Sequence, residues 1–341
     1  MTLGAVLIVR NEAERIGRCV ASARTAGVST FTVVDTGSTD GTPEVLFDLG
    51  VKVHVREWVN FGHNRSEAFA LARGTADWLF ALDADMTVEW DEGWEPDPSV
   101  DAYMIEMGSA EFSWRLPLLL RGDREWKSVG AVHEYTVLGD GTLGRREPTD
   151  HVRIAHPGAI ATPEKLRWHT ELLEAEIRRN PDDPRTVFYL AQTYRQLGSP
   201  LALGLYRKRV TMGGWDEERF YSAYQAALLT DWPERAGELV AAWEMRPQRL
   251  EPLCALLRDL NSRGYHQSAY RLSTAVLQPV GDILFVDRAV DWQLPFERAI
   301  ASWWTGHRDE FQRLSVDLLE NPRLPDSERE AVIRNLGLRA A

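Results

Sequence analysis

The chain has 341 residues, 44% hydrophobic and 26% charged, with a formal net charge of -12. That length exceeds one usual core, so two domains are expected, and the acidic balance excludes general binding to a phosphate backbone while leaving room for a local basic groove near Arg115, Arg121, Arg124 and Lys127. No apolar run approaches the ~18 residues that span a bilayer, and a strand stands where a secretory signal would, so the expectation is a soluble cytoplasmic protein without membrane contact, with Cys19 and Cys254 reduced.

Gly4-Ala5-Val6-Leu7-Ile8-Val9 reads as a buried strand, followed by the polar corner Arg10-Asn11-Glu12. From Glu12 to Ala26 the spacing is helical, with Ile16, Val20 and Ala23 on one face. Phe31 to Asp35 is the next strand. It runs into the Gly-rich acidic turn Thr36-Gly37-Ser38-Thr39-Asp40-Gly41-Thr42 and a helix from Pro43. Val51 to Val55 is a third strand, and His63 to Arg73 a helix with Phe69 and Ala72 turned inward. Then comes Trp78-Leu79-Phe80-Ala81-Leu82, an apolar run that ends in Asp83-Ala84-Asp85.

Strands alternating with helices predict right-handed βαβ crossovers and a mostly parallel sheet. Ligands of such sheets bind beyond the carboxyl ends of the strands. Asn11, Glu12, Asp35, Asp83 and Asp85 all fall there. Side chains alternate along a strand, so Asp83 and Asp85 leave its end on one side. Two such carboxylates repel unless a cation sits between them, and hard oxygen ligands suit Mg²⁺ or Mn²⁺ with positions left for phosphate oxygens. An Asp-x-Asp alone fits a solvated strand exit equally well; three strands delivering polar groups to one edge make that reading strained. Asp35 reads as a turn cap or a ligand contact, Asp40 as a turn and helix cap, Glu12 equally as a helix-first-turn acid, and Arg65 as a partner of Glu67 or a surface acid, or as a ligand contact. Gly62 would allow close backbone approach to a ligand.

Val-Arg-Asn-Glu, Val-Val-Asp-Thr-Gly-Ser-Thr-Asp-Gly-Thr, Asn-Phe-Gly-His-Asn-Arg-Ser-Glu-Ala and Leu-Asp-Ala-Asp occur in this order within the first ninety residues. Together they resemble glycosyltransferase family 2, whose GT-A fold uses nucleotide-diphosphate sugars. The resemblance implies an inverting transferase with a divalent cation at the Asp-x-Asp. It implies a donor site that takes in Val9, Asn11 and Glu12 near the base and ribose, and Asp35 on the base edge. Arg65 would hold nucleotide or sugar, and Asp83 and Ala84 would lie near the ribose and metal. Asp85 would ligate the metal. Ser66 stands where many members have Asn, and a hydroxyl also donates and accepts.

Further on, Ala102 to Glu106 and Trp114 to Arg121 read as strands. Trp126-Lys127-Ser128-Val129-Gly130-Ala131-Val132-His133-Glu134-Tyr135 resembles the Tyr-x-Gly-x-Val-His-Glu block of a subgroup of the same family. Inverting transfer needs a base for the acceptor proton. Glu134 is expected in that role, with His133 as the alternative or as a third metal ligand. The structural alternative pairs Glu134 with Arg115 or Arg121. His156, in Ile154-Ala155-His156-Pro157-Gly158, resembles a closing Ile-x-His-x-Gly block and is expected to complete the metal shell or simply to pack. Trp126 and Trp114 would stack on a sugar, or fill the core.

From Thr162 strand signals cease. Lys165 to Arg179 is amphipathic and stops at Asn180-Pro181-Asp182-Asp183-Pro184. Thr186 to Leu197 and Leu201 to Val210 form a helix pair, Arg219 to Glu244 a second, and Leu253, Leu257, Gly264, Ala269, Leu272, Ala275 and Pro279 mark a third. Units of roughly 34 residues that pack on their neighbours make a short tetratricopeptide-like (TPR-like) solenoid. The Trp-rich helices from Phe285 to Leu336 resemble the extension of the same transferase subgroup.

The expected architecture is therefore α/β plus α: a GT-A domain over residues 1–160 and a TPR-like helical domain over 161–341. The expected function is metal-dependent, inverting transfer of a sugar from a nucleotide-diphosphate sugar to a macromolecular acceptor such as a protein. The helical half would bind acceptor, form a homodimer or only buttress the catalytic domain. Two competing classes are a nucleotidyltransferase and a non-catalytic repeat scaffold with a decayed transferase domain. The first would carry a Gly-rich basic loop where Arg10-Asn11-Glu12 stands, and the intact Asp35, Asp83 and Asp85 argue against the second.

Overall fold

The computed structural model describes residues 1–109, 112–156, 162–274 and 286–337. The chain divides into two compact units: Met1–Ser109 with Ser113–Tyr189, and a helical unit from Leu190 on. The change of sequence character at Thr162 thus precedes the division in space, because the first long helix belongs to the first unit. The expected boundary between residues 160 and 161 and the markers Pro157, Gly158, Ala275, Pro279 and Phe285 lie outside the described residues.

The first unit begins β1 (Leu3–Val9), α1 (Ile16–Thr25), β2 (Val28–Asp35), α2 (Thr42–Asp48), β3 (Val53–Val55), α3 (Phe61–Ala72) and β4 (Trp78–Leu82). It continues β5 (Thr87–Trp90), β6 (Ala102–Gly108), β7 (Phe112–Arg121), β8 (Trp126–Val129), β9 (Tyr135–Leu138), β10 (Arg146–Thr149) and β11 (Val152–Ala155), then α4 (Pro163–Arg179) and the start of α5 (Pro184–Gln196). The main sheet has the order β10-β6-β7-β4-β1-β2-β3. Neighbours from β4 to β3 run parallel, as do β10 and β6, whereas β7 is antiparallel to both β4 and β6. Every residue of β4 is buried, as its unbroken apolar run requires between two strands and under helices.

Register fixes the site. Leu7 lies opposite Leu82 and Val9 opposite Asp35, so β1, β2 and β4 end at one edge. β5, β10 and β11 have four residues each and half-exposed faces, so they carry no apolar run to announce them. β5 and β11 form an antiparallel pair that returns His156 towards the β4 exit. One core runs through this unit, with Trp126 inside it and Trp114 packed against it.

The second unit continues from α5 with α6 (Leu201–Thr211), α7 (Asp216–Leu229), α8 (Glu234–Met245), α9 (Glu251–Ser262), α10 (His266–Ser273), α11 (Val290–Trp304), α12 (Arg308–Glu320) and α13 (Asp326–Gly337). From α6 on, each helix packs on the next. Its apolar residues form a series of small clusters, such as Ala191, Ala202, Tyr206 and Ala226, then Ala227, Leu239 and Leu256. Nearest-neighbour packing of this kind is the mark of a repeat array, here TPR-like.

Candidate active site

The corner after β1 is built by reciprocal hydrogen bonds with the turn after β2. Asn11 takes a left-handed φ of 57°, which Asn tolerates better than most residues. Its Oδ1 accepts from the Thr39 N–H at 2.8 Å, and its own N–H donates to Ser38 Oγ at 2.9 Å. The Glu12 N–H donates to Thr42 Oγ1 at 2.8 Å, and that hydroxyl donates to Asp40 Oδ1 at 2.6 Å. Asp40 is thus a brace of the helix entry, as its turn chemistry predicts. Val9 is buried, and its carbonyl accepts from both the N–H and the hydroxyl of Thr36.

Asp35 is only 2% exposed. Its Oδ1 accepts from the N–H groups of Gly37 and Ser38, both at 2.9 Å. Its Oδ2 is buried and has no hydrogen-bond partner. A half-satisfied buried carboxylate costs free energy unless something completes it. Glu12 stands nearby, and its carboxyl is raised above the ordinary range by burial. Asp85 and Asp83 push it the same way while Arg15 opposes. These three carboxylates therefore share one field, which a cation would relieve.

Arg65, on α3, organises the other side. Its Nη2 donates to Asp83 Oδ1 and its Nε to Glu134 Oε1, each at 2.8 Å. The expected pairing of Arg65 with Glu67, and of Glu134 with Arg115 or Arg121, gives way here. Glu67 bonds Asn64 instead, while Arg115 pairs with Glu106 and Arg121 with Asp123. Burial acts to raise the Asp83 carboxyl, but Arg65 overcomes it, with smaller help from His156 and Lys165, and the group is held below the usual carboxylate range. Asp85 Oδ2 lies 3.3 Å from His156 Nε2. Ala84, between the two acids, is buried. The turn itself is anchored from α1, where Cys19 Sγ meets the Asp83 carbonyl at 3.6 Å and Arg18 donates to the Asp85 carbonyl at 3.2 Å.

Glu134 Oε2 carries no protein hydrogen bond among the described residues, so one oxygen of that carboxylate is held by Arg65 and the other is open. His133 precedes it with a left-handed φ of 54°, a strained state for a non-glycine residue. The residue is exposed as a whole, while its ring is stacked on Tyr189 and edge-on to His169. Desolvation there, then the neighbouring His169, Arg185 and Lys165, hold it well below the ordinary range.

Two expectations change. Trp126 is 3% exposed and its indole N–H donates to the Arg121 carbonyl at 2.8 Å, so it is a core residue with no face open to a sugar. Gly62 does permit a close approach, but to its own fold: a Cβ there would lie 2.5 Å from the Gly130 carbonyl oxygen and 2.9 Å from that of Ser128. Ser66 works at the same seam, accepting from the Ser128 N–H at 2.9 Å and donating to the Gly62 carbonyl at 2.7 Å.

The donor set at the β4 exit is a carboxylate and an imidazole, Asp85 and His156, with Asp83 beside them but drawn to Arg65. That pair fits a hard divalent cation that keeps most of its positions for phosphate oxygens and water. Among the described residues, no group of three or more His, Cys, Asp or Glu side chains is close enough to enclose an ion.

Residues 5–94 match the family model described as glycosyl transferase family 2. A TPR repeat-containing protein of Synechococcus elongatus is 29% identical over 280 residues, covering 73% of this chain and 66% of the relative. An uncharacterized glycosyltransferase of Rickettsia felis is 37% identical over 83 residues, covering 24% of this chain and 28% of the relative. The chain thus spans just under two thirds of the first relative and less than a third of the second. A tetratricopeptide repeat protein from Parabacteroides merdae has 18% identity and a TM-score of 0.38, covering 52% of this chain and 69% of that one. Among the described residues no helix is long and apolar enough to cross a membrane.

Proposed function

We propose that the chain is a glycosyltransferase that moves a sugar, with inversion, from a nucleotide-diphosphate sugar to a macromolecular acceptor such as a protein. The observation that carries this reading is the buried Asp35 Oδ2 without a partner at the carboxyl edge of the sheet. A nucleobase N–H is a donor that would complete it. The fully paired Oδ1 keeps the carboxylate aimed. Asn11 and Glu12 are tied to the turn that follows Asp35 through the β1 corner.

The diphosphate would lie beside Asp83, Asp85 and His156. A Mg²⁺ or Mn²⁺ ion held by Asp85 and His156 would supply charge neutralisation for the leaving diphosphate. Arg65 fixes Asp83 on the donor side and Glu134 on the acceptor side with one guanidinium. The open oxygen of Glu134 takes the proton of the acceptor group as that atom's lone pair forms the bond to the anomeric carbon. The bond from that carbon to the diphosphate breaks, and the diphosphate leaves with the electron pair. The helical unit supplies a repeat surface for a macromolecular acceptor, and the proposed setting is the cytoplasm.

The test is release of nucleoside diphosphate from UDP, GDP, CDP and TDP sugars in Mn²⁺, for wild type, Asp85→Ala and Glu134→Gln. The reading expects one donor to be turned over, Asp85→Ala to lose turnover while staying folded, and Glu134→Gln to keep donor binding but lose turnover. Wild-type rates in Asp85→Ala would remove the metal assignment. Wild-type rates in Glu134→Gln would remove the base.

A further inference from the structure

We infer that Arg185, on α5, is a positioning residue that holds the His133–Glu134 corner in its left-handed conformation and so keeps the proposed base on Arg65. This rests on the functional reading above only for the role of Glu134; the mechanical part stands on its own geometry.

His133 has a φ of 54°, a left-handed conformation that only a few per cent of non-glycine residues adopt, though His more often than most, and that costs free energy unless the surroundings hold it. The holder is bidentate. Arg185 Nε and Nη2 both donate to the His133 carbonyl oxygen, at 3.3 and 3.0 Å. The guanidinium also lies over two rings, Tyr135 at 4.9 Å and Tyr189 at 4.8 Å from the centroids. It therefore touches the residue after Glu134 as well as the residue before it. Tyr189, one helical turn on from Arg185, stacks on the His133 imidazole at 4.3 Å with 14° between the planes, and Arg185 Nη2 reaches its hydroxyl at 3.3 Å. His169 of α4 closes the other side, edge-on to His133 at 5.7 Å. The carbonyl and imidazole of His133 and the ring of Tyr135 are thus all contacted from α4 and α5.

The planar fork of arginine makes this arrangement, since an ammonium could neither span one carbonyl with two N–H groups nor stack between two rings. Glu134 is the residue between the two clamped ones, and its Oε1 meets Arg65 at 2.8 Å. A corner released to ordinary φ would swing that carboxylate away from both Arg65 and the acceptor. The catalytic unit then includes the first turns of α5, well beyond residues 5–94.

The experiment compares full-length wild type, Arg185→Met, Arg185→Lys and Tyr189→Leu. Amide hydrogen exchange of peptides covering residues 129–138 is measured together with release of nucleoside diphosphate from UDP, GDP, CDP and TDP sugars in Mn²⁺. Expected for Arg185→Met are at least tenfold faster exchange confined to that segment, a kcat lower by at least tenfold, and donor affinity within about threefold of wild type. Arg185→Lys should not restore either quantity, and Tyr189→Leu should show the same pattern more weakly, which keeps the test open if Arg185→Met fails to fold. Unchanged exchange at 129–138 overturns the inference, as does faster exchange with unaltered turnover. If wild type turns over no nucleotide sugar, the functional reading falls, and the exchange data alone decide whether Arg185 holds the corner.

Discussion

Both units bury charge, and they treat it differently. In the helical unit Arg209 is fully buried, with Nε and Nη2 on Glu218 Oε2 at 3.3 and 3.1 Å and its remaining N–H groups on the carbonyls of Met212, Gly213 and Trp215. Arg249 is likewise closed by Glu217 and Glu251 and lies over the Phe220 ring. Every N–H group of Arg209 is spent in this way, and Glu217 meets both Arg246 and Arg249. At the sheet edge of the first unit, Asp35 is as deeply buried but keeps one oxygen unpartnered, and Glu134 keeps one oxygen open beside Arg65. The fully paired Arg209 holds helices together, whereas the unpartnered oxygen of Asp35 leaves room for a donor from outside.

The sharpest way to break that contrast is to open a saturated pair. Glu218→Ala leaves Arg209 buried without its counter-charge and should cost about 3–5 kcal/mol. Denaturant unfolding should show the loss in the helical unit, with nucleotide binding by the folded protein unchanged. A loss under 1 kcal/mol would mean that water replaces the carboxylate, and the contrast would lose its structural half.

Next is the acid dependence of His169, a buried imidazole whose Nε2 has no partner. Burial first, then Lys165, lowers its pKa from 6.5 to about 4. The folded protein therefore binds the proton less readily than the unfolded chain. Stability from this group is complete above pH 6.5 and is lost as pH falls towards 4. At about 1.4 kcal/mol per pH unit the loss approaches ~3 kcal/mol. His169→Asn should flatten the stability–pH curve in that window relative to wild type. Parallel curves would show that the imidazole is hydrated in the folded state.

Smaller is the seam between α3 and β8. Gly62→Ala forces a methyl against two backbone oxygens, and should cost about 1–3 kcal/mol. Because the seam carries Arg65 and the Ser128–Glu134 segment, turnover of a nucleotide sugar should fall more than donor affinity. Unchanged stability and turnover would mean that the seam relaxes freely.

Much of this was legible in the sequence, and the physical reason is local. A strand buried on both faces needs an unbroken apolar run, as in Trp78 to Leu82, and the acids after it must leave at the sheet edge. Asp40 showed its bracing role through turn chemistry alone. What was hidden depends on contacts between distant residues. Arg65 finds Asp83 and Glu134 at separations of 18 and 69 positions, which no spacing rule reports. Trp126 alternates into the core because β8 pairs with β9, and nothing local to its block says which face is inner. Gly62 signalled a close approach without naming its partner. Arg185 stands at an ordinary helix start after Pro184, so its clamp on His133, 52 positions earlier, left no pattern to read.

The central claim is that the unpaired oxygen of Asp35 awaits a nucleobase, and it is tested most directly by thermal unfolding. Wild type and Asp35→Ala are compared against UDP, GDP, CDP and TDP and their sugars, each with and without Mn²⁺. A ligand that binds the native state raises its transition temperature. The account predicts a Mn²⁺-dependent rise with one base in wild type and its loss in an Asp35→Ala variant that still unfolds cooperatively. No rise with any nucleotide in a cooperatively unfolding wild type, or an equal rise in both proteins, would contradict it.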